Sequence, residues 1–414
     1  MSPASGITIR TQRSLGLLLL IAWLAIWGFS IARDQSVLRG LIWLPLWDKL
    51  SVDVQGNFLC SRALVRGENP YELKFGSLLP LTYGYPPATL WQFVWCAFMP
   101  SLRAASITWF IASSLIILLA VHASLRVRRE LGLRSIDPVL ALGLILFSSP
   151  VFFELERSNC NSLVLLHLVI ACAALRSRTL LGDLIAAAAL GLATWTKIYP
   201  FAAVPALLVF ARPRAFVFAL GFVALFAIAD LEGLRSFWLH RQQTASIHYA
   251  GVHGIYDSFM HPLGAWWVLL WRKAGVTVFD PLPQAAIAAA LLAPLFLPIT
   301  RSILNLAAPV RAKLQMPFLF WVVSGATFLL PIANDYNLIF LPLALLCVLG
   351  FRFCGVSKSE KVAAVLFLLS LPWLQPFRMS IDPYVMTALK LCCLASAGFA
   401  IHARCASLAK GCAA

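Results

Sequence analysis

The amino-acid sequence predicts an all-α protein that folds as a polytopic bundle of transmembrane helices. Hydrophobic residues make up 61% of its 414 residues and charged residues only 12%, whereas a soluble domain is nearer half apolar and a quarter charged. Apolar runs long enough for a helix to cross the hydrocarbon recur between short breaks rich in basic residues, Pro, Gly and Asn. These runs do not alternate polar and apolar residues as barrel strands do, so helices are the predicted spanning elements.

Clusters of Lys and Arg predict the orientation of the bundle. They lie between the apolar runs, as cytoplasmic topology signals do. They do not form a stripe with interleaved aromatic residues, so the net charge of +16 does not indicate a nucleic-acid partner. The result is a single membrane domain over residues 1–414 with about twelve spans and both termini inside. The predicted spans are 14–32, 104–123, 137–152, 161–175, 180–196, 199–211, 214–230, 284–300, 315–332, 337–352, 361–376 and 384–402.

Two long segments are predicted to lie on the outer face of the membrane. The first covers residues 33–103 and includes a re-entrant or interfacial helix at 87–100, because a full span there would move a basic cluster outside. The second covers residues 231–283 and carries His248 and His253. Ionisable groups at membrane depth are costly and are therefore functional candidates. Most of the suggestive polar residues gather at this one face.

Three ordered groups of motifs lie at that face. They are DVQGNF at 53–58 with RGENPY at 66–71 and YGYPP at 83–87, then ERSNCN at 156–161, then TKIYP at 196–200. In order and spacing these motifs resemble glycosyltransferase family 87, over roughly residues 14–230. One departure is Ser158, where the family usually has Gly. If that position needs a positive φ, a serine there is strained.

The resemblance implies a GT-C fold and a function. Members of the family transfer mannose or a related sugar from polyprenyl phosphate to an acceptor outside the plasma membrane. They need no nucleotide sugar, and no metal or other cofactor is predicted here. The family's proposed catalytic base, a carboxylate of the first outer loop, carries over to Asp53. The motif positions also mark Tyr85, Asn159 and Asn161 as candidate substrate-binding residues.

The chemistry of the residues leads to the same reaction. A sugar phosphate already has a good leaving group, so it needs a base for the acceptor hydroxyl and cations for the departing phosphate. Asp53 is the preferred base and Asp48 the alternative. Arg157 and Lys197 are the predicted phosphate ligands, with a histidine such as His248 or His253 as a further candidate. A single displacement would invert the anomeric carbon, and the polyprenyl chain would lie between spans.

Other interpretations of the same features stay open at this point. A secondary transporter also fits twelve spans with both termini inside, and a lipid flippase or non-catalytic scaffold is a third possibility. Lys197 could extend to the headgroups, and the turn at 156–161 could simply cap the fourth span. We expect a multi-pass protein of the plasma (inner) membrane whose site faces the periplasm or outside. Its partners would be a polyprenyl-phosphate sugar, a lipid or glycan acceptor and membrane lipids.

Overall fold

The structure is a computed structural model, and it describes residues 8–33, 51–73, 83–240, 281–330, 335–350, 357–374 and 383–412. Every regular element within these ranges is a helix, which confirms the all-α prediction for this part of the chain. The alternative base Asp48 and the candidate ligands His248 and His253 lie outside the described residues.

A helix covers most of each predicted span, and further helices lie in the two segments predicted to be outside. In chain order they are α1 Ile9–Arg33, α2 Val52–Val65, α3 Pro87–Gln92, α4 Leu102–Glu130, α5 Pro138–Leu146, α6 Ser149–Arg157, α7 Asn161–Ala174, α8 Leu180–Thr196, α9 Ala203–Val209, α10 Pro213–Ala229, α11 Leu231–His240, α12 Pro281–Leu304, α13 Ala308–Arg311, α14 Gln315–Thr327, α15 Phe340–Val348, α16 Lys358–Leu374 and α17 Pro383–Cys412. Short 3₁₀ segments lie at Val94–Phe98, Tyr199–Ala202, Ala312–Leu314 and Asp335–Leu338.

Four helices of the described chain, α1, α4, α12 and α17, are long and apolar enough to cross a membrane. Two bent pairs raise this number to six if each pair is one broken span: α5 with α6, bent by 64°, and α10 with α11, bent by 83°. By length and composition the protein is therefore a multi-pass membrane protein. The count of twelve spans, the GT-C arrangement and the sidedness of the two outer segments stay predictions.

The break between α5 and α6 divides a segment that the sequence predicts as one span, 137–152. Helix α5 ends at Leu146, and Pro150 lies in the first turn of α6. A proline inside a helix removes one backbone donor and clashes with the carbonyl four residues earlier, here that of Leu146. In addition, the Ser148 hydroxyl donates to the Ile145 carbonyl at 2.7 Å, a local bond that competes with helix continuation.

The predicted helical element at 87–100 is present as two short pieces, α3 and the 3₁₀ segment Val94–Phe98. Pro86 is extended, with φ −61° and ψ 159°, and Pro87 occupies the first helical position, where its missing N–H costs nothing. Six and five residues are far too few to cross the hydrocarbon. The prediction that this element is re-entrant or interfacial stays a prediction.

The chain divides into two compact units. One contains Met1–Asp48, Ile117–Phe153 and Met260–Ala414, and the other contains Lys49–Ile116 and Glu154–Phe259. In the first unit α1 packs so closely on α5 that a Cβ at Gly16 would come within 2.4 Å of the Leu140 backbone nitrogen. In the second, α8 packs between α7 and α10, and α2 packs against the 3₁₀ segment at 94–98. The second unit holds the candidate site.

Candidate active site

The centre of the site is an ion pair between Asp53 and Arg157. Asp53 lies in the first turn of α2, and Arg157 is the last residue of α6. The guanidinium donates two bonds, from Nη2 to Oδ1 at 2.7 Å and from Nε to Oδ2 at 3.0 Å. The two side chains are only 14% and 12% exposed, for arginine and aspartate respectively. This bidentate geometry fixes the plane of the carboxylate as well as its position.

Asn159 connects the carboxylate to Tyr85. Its Nδ2 donates to Asp53 Oδ2 at 2.6 Å and to the Tyr85 hydroxyl at 2.9 Å. Asn159 is fully buried, and its backbone carbonyl accepts from the indole N–H of Trp109 on α4 at 3.2 Å. Oδ2 of Asp53 therefore accepts two of these bonds and Oδ1 accepts one.

Electrostatics keep the Asp53 carboxylate ionised. Burial by itself raises its pKa, but the charge and hydrogen bonds of Arg157, the Asn159 amide and the charge of Lys197 together hold it below the usual 3.8. A carboxylate that is paired and accepts several hydrogen bonds favours its charged form. Asp53 is thus ionised, and able to accept a proton, throughout the physiological pH range.

Lys197 approaches the same cluster from α8. The residue ends that helix in an extended conformation, with φ −149° and ψ 135°. Its Nζ lies 4.9 Å from the centroid of the Tyr85 ring, a cation–π distance. The phenol whose hydroxyl accepts from Asn159 therefore presents its ring to the lysine, which places a second cation beside the ion pair.

Helix α3 holds the end of α8 that carries Lys197. The Thr89 hydroxyl donates to the carbonyls of Trp195 and Thr196, at 3.2 and 3.0 Å. These are among the carbonyls that a helix end leaves without a helical partner. The Gln92 amide donates to the Thr196 hydroxyl at 2.9 Å. The short helix predicted at the outer face thus fixes the position of the lysine.

Asn161 lies next to the cluster and bonds to other residues. Its Nδ2 donates to Glu154 Oε2 at 3.0 Å, and its Oδ1 accepts from the Tyr199 hydroxyl at 2.6 Å. The fully buried Glu154 also accepts from the backbone N–H and hydroxyl of Ser162, at 2.8 and 2.9 Å. A carboxylate at this helix N-terminus is favoured by the macrodipole. Glu154, and not the side chain of Ser158 or Asn161, therefore caps α7.

Five of the predicted site residues come together within the second unit: Asp53, Tyr85, Arg157, Asn159 and Lys197. Sequence reasoning missed the supporting roles of Thr89, Gln92, Glu154 and Tyr199. Among the described residues no three His, Cys, Asp or Glu side chains gather as a metal site. That transfer needs no metal stays a prediction.

A model of glycosyltransferase family 87 matches residues 83–297, just over half of the chain. The matched part contains the motifs around Arg157 and Lys197 and begins after Asp53. No match was found among the curated proteins. Among solved structures, the crystal structure of ArnT from Cupriavidus metallidurans bound to undecaprenyl phosphate is similar at 14% sequence identity and a TM-score of 0.39, covering 97% of this chain and 78% of that chain.

Proposed function

The chain belongs to glycosyltransferase family 87, and from this premise we propose that it transfers a hexose, expected to be mannose, from a polyprenyl-phosphate donor to a hydroxyl of a lipid or glycan acceptor. The reaction takes place at the outer face of the plasma membrane. One observation carries the proposal: the Asp53 carboxylate is held ionised by Arg157 and Asn159, in a mostly buried cluster with Lys197 at its edge. The cluster contains one base and two cations.

Asp53 acts as the general base through Oδ1, because that oxygen accepts one of the three hydrogen bonds and Oδ2 accepts two. The acceptor hydroxyl oxygen attacks the anomeric carbon, and its proton passes to Oδ1. The bond between the anomeric carbon and the phosphate oxygen breaks, and polyprenyl phosphate leaves with the electron pair. A single displacement of this kind inverts the anomeric centre, so a β-linked donor gives an α-linked product.

Arg157 and Lys197 stabilise the charge that develops on the leaving phosphate. A guanidinium carries five N–H donors in a planar fork and can bridge a carboxylate and a phosphate at the same time. The lysine supplies a point charge from a different helix. With Asp53 ionised, the three side chains carry a net charge of about +1, which suits a phosphate bound beside a catalytic carboxylate.

The sequence also left open a secondary transporter. Family membership favours the transferase, and no contact among the described residues favours transport. Membranes that contain the protein should transfer label from radiolabelled polyprenyl-phosphate-mannose to an endogenous lipid or glycan, and EDTA should leave the rate unchanged. Membranes with the Asp53→Asn variant at equal abundance serve as the control. If neither mannose nor any other polyprenyl-phosphate hexose is transferred by folded wild-type protein, the proposed donor class is wrong.

A further inference from the structure

Two serines with left-handed backbone conformation flank the ion pair. In the described chain the non-glycine residues with positive φ are Ser51, Ser158, Arg178 and Ala211. Ser158 has φ 52° and directly follows Arg157, and Ser51 has φ 64° and precedes Asp53 by two residues. The condition considered for position 158, a positive φ, is therefore met. Residues other than glycine rarely adopt the left-handed region, and the strain of doing so persists where the surrounding structure enforces it.

The two serines bond to each other across 107 residues of sequence. Their hydroxyl oxygens are 2.8 Å apart, and both residues are buried. The Ser158 hydroxyl donates its single proton to the Leu155 carbonyl at 3.1 Å, so Ser51 donates in the hydroxyl pair. The Ser51 backbone N–H also donates to the Glu156 carbonyl at 2.9 Å. Together these bonds tie the beginning of α2 to the end of α6.

This arrangement replaces an ordinary helix cap. Ser51 is the residue before α2, where a serine hydroxyl normally accepts from a backbone N–H of the first turn. Here the left-handed backbone turns the side chain away, and it makes no capping bond. The hydroxyl bonds to Ser158 instead. The side-chain cap is thus given up at the beginning of α2, near Asp53. At the end of α6 the left-handed Ser158 allows two backbone capping bonds, from the Ser158 N–H to the Leu155 carbonyl at 3.2 Å and from the Asn159 N–H to the Glu154 carbonyl at 3.3 Å.

We propose that Ser51 and Ser158 form a clasp that sets the distance and orientation of the Asp53–Arg157 pair, and that both serines are positioning residues for the transfer reaction. The inference rests on the proposed function. Asp53 and Arg157 each lie within two residues of the clasp, so a small shift between α2 and α6 would turn the carboxylate relative to the guanidinium. A glycine at 158, as the resemblance to the family would lead one to expect, would allow the backbone conformation but supply no hydroxyl.

Ser158→Gly separates the two effects of the serine. Glycine relieves the left-handed strain, so the variant should unfold at the same temperature as wild type or higher. Loss of the hydroxyl should lower kcat about tenfold, equivalent to about 1.4 kcal/mol, with little change in KM for the donor. The acidic limb of the pH profile should move to higher pH, because a loosened Arg157 would lower the pKa of Asp53 less. Ser51→Ala should lower kcat similarly.

The double variant and a matched control complete the test. Ser51→Ala with Ser158→Gly should be no slower than the slower single variant, because both substitutions remove the same bond. Ala211→Gly relieves left-handed strain at the end of α9, at a residue without a hydroxyl, and should leave kcat and the pH profile unchanged. A Ser158→Gly protein with wild-type kcat and pH profile would overturn the clasp, as would losses that multiply in the double variant.

A readout that does not depend on turnover keeps this test separate from the proposed function. The carboxyl stretch of Asp53 can be followed by infrared titration, with the Asp53→Asn protein as the reference for assignment. If wild type transfers no sugar, the clasp still predicts that the titration midpoint rises in Ser158→Gly. An unchanged midpoint would contradict the clasp whether or not the protein is a transferase.

Discussion

Arg157→Gln removes the cation that holds the Asp53 carboxylate and keeps a polar side chain in its place. Both side chains are about seven-eighths buried, so solvent screens the pair little. Removal of one partner from a buried pair costs about 3–5 kcal/mol of folding free energy, because the other charge is left buried without compensation. We therefore expect a large fall in the stability of the variant at neutral pH, together with loss of turnover.

The same substitution should reverse the pH dependence that Asp53 contributes to stability. In wild type the folded-state pKa of Asp53 is depressed, so its contribution is present above the unfolded-state pKa and is lost as pH falls through the folded value, below about pH 4. Without the arginine, burial is the largest remaining effect, and it raises the pKa. The stability difference between wild type and variant should then narrow as the pH is lowered from neutral.

Thermal unfolding of purified protein at several pH values measures both effects. Arg126→Gln is the matched control, since the Arg126–Glu130 pair spans 3.2 Å but its side chains are 63% and 33% exposed. An exposed pair of this kind is worth about 1 kcal/mol or less. If Arg157→Gln is as stable as Arg126→Gln at neutral pH, or if its loss of stability does not change with pH, the ion pair does not keep the Asp53 carboxylate ionised.

Two further predictions concern contacts around the pair, and a third concerns the orientation of the chain in the membrane. Lys197→Ala should raise KM for the donor about tenfold or more, and Lys197→Arg should recover part of this loss. If the alanine variant has the donor kinetics of wild type, Lys197 binds lipid headgroups and not the donor phosphate. Asn161→Ala should lower the free energy of unfolding by about 1–3 kcal/mol, because it leaves buried Glu154 without one of its donors, while KM for the donor stays within about twofold; a purely kinetic loss would argue against this structural role. A topology reporter fused near Gly67 should read outside and one near Arg129 inside, and an inside signal at Gly67 would overturn the sidedness of the site.

Local sequence patterns were enough to predict most helices. The limits of α8 agree with the predicted 180–196 because Thr179 caps its start, with its hydroxyl accepting from the Gly182 N–H at 3.1 Å, and its apolar run is bounded by polar residues at both ends. The break in 137–152 depends on Pro150. The apolar character of the whole segment does not reveal the effect of this one proline.

Tertiary contacts are what the sequence could not supply. Asp53 and Arg157 could be recognised individually, as base and phosphate ligand, but their pairing joins residues 104 positions apart and leaves no local pattern. Arg128, one of the basic residues between two predicted spans, is 4% exposed and donates to the carbonyls of Leu346, in the last turn of α15, and Leu349, just after its end. Such roles depend on which helices pack against each other, and these contacts cannot be predicted from local patterns in one sequence.

The role of Asp53 as the base for sugar transfer from a polyprenyl-phosphate donor can be tested directly. Its most direct test is single-turnover transfer by purified Asp53→Asn protein with polyprenyl-phosphate-mannose, alongside a separate measurement of donor binding. The asparagine keeps an oxygen that can accept from Arg157 but cannot take a proton, so donor binding should stay near the wild-type value while the transfer rate falls at least about a hundredfold. A transfer rate close to wild type, with the donor bound normally, would contradict this role and leave Asp48 as the candidate base.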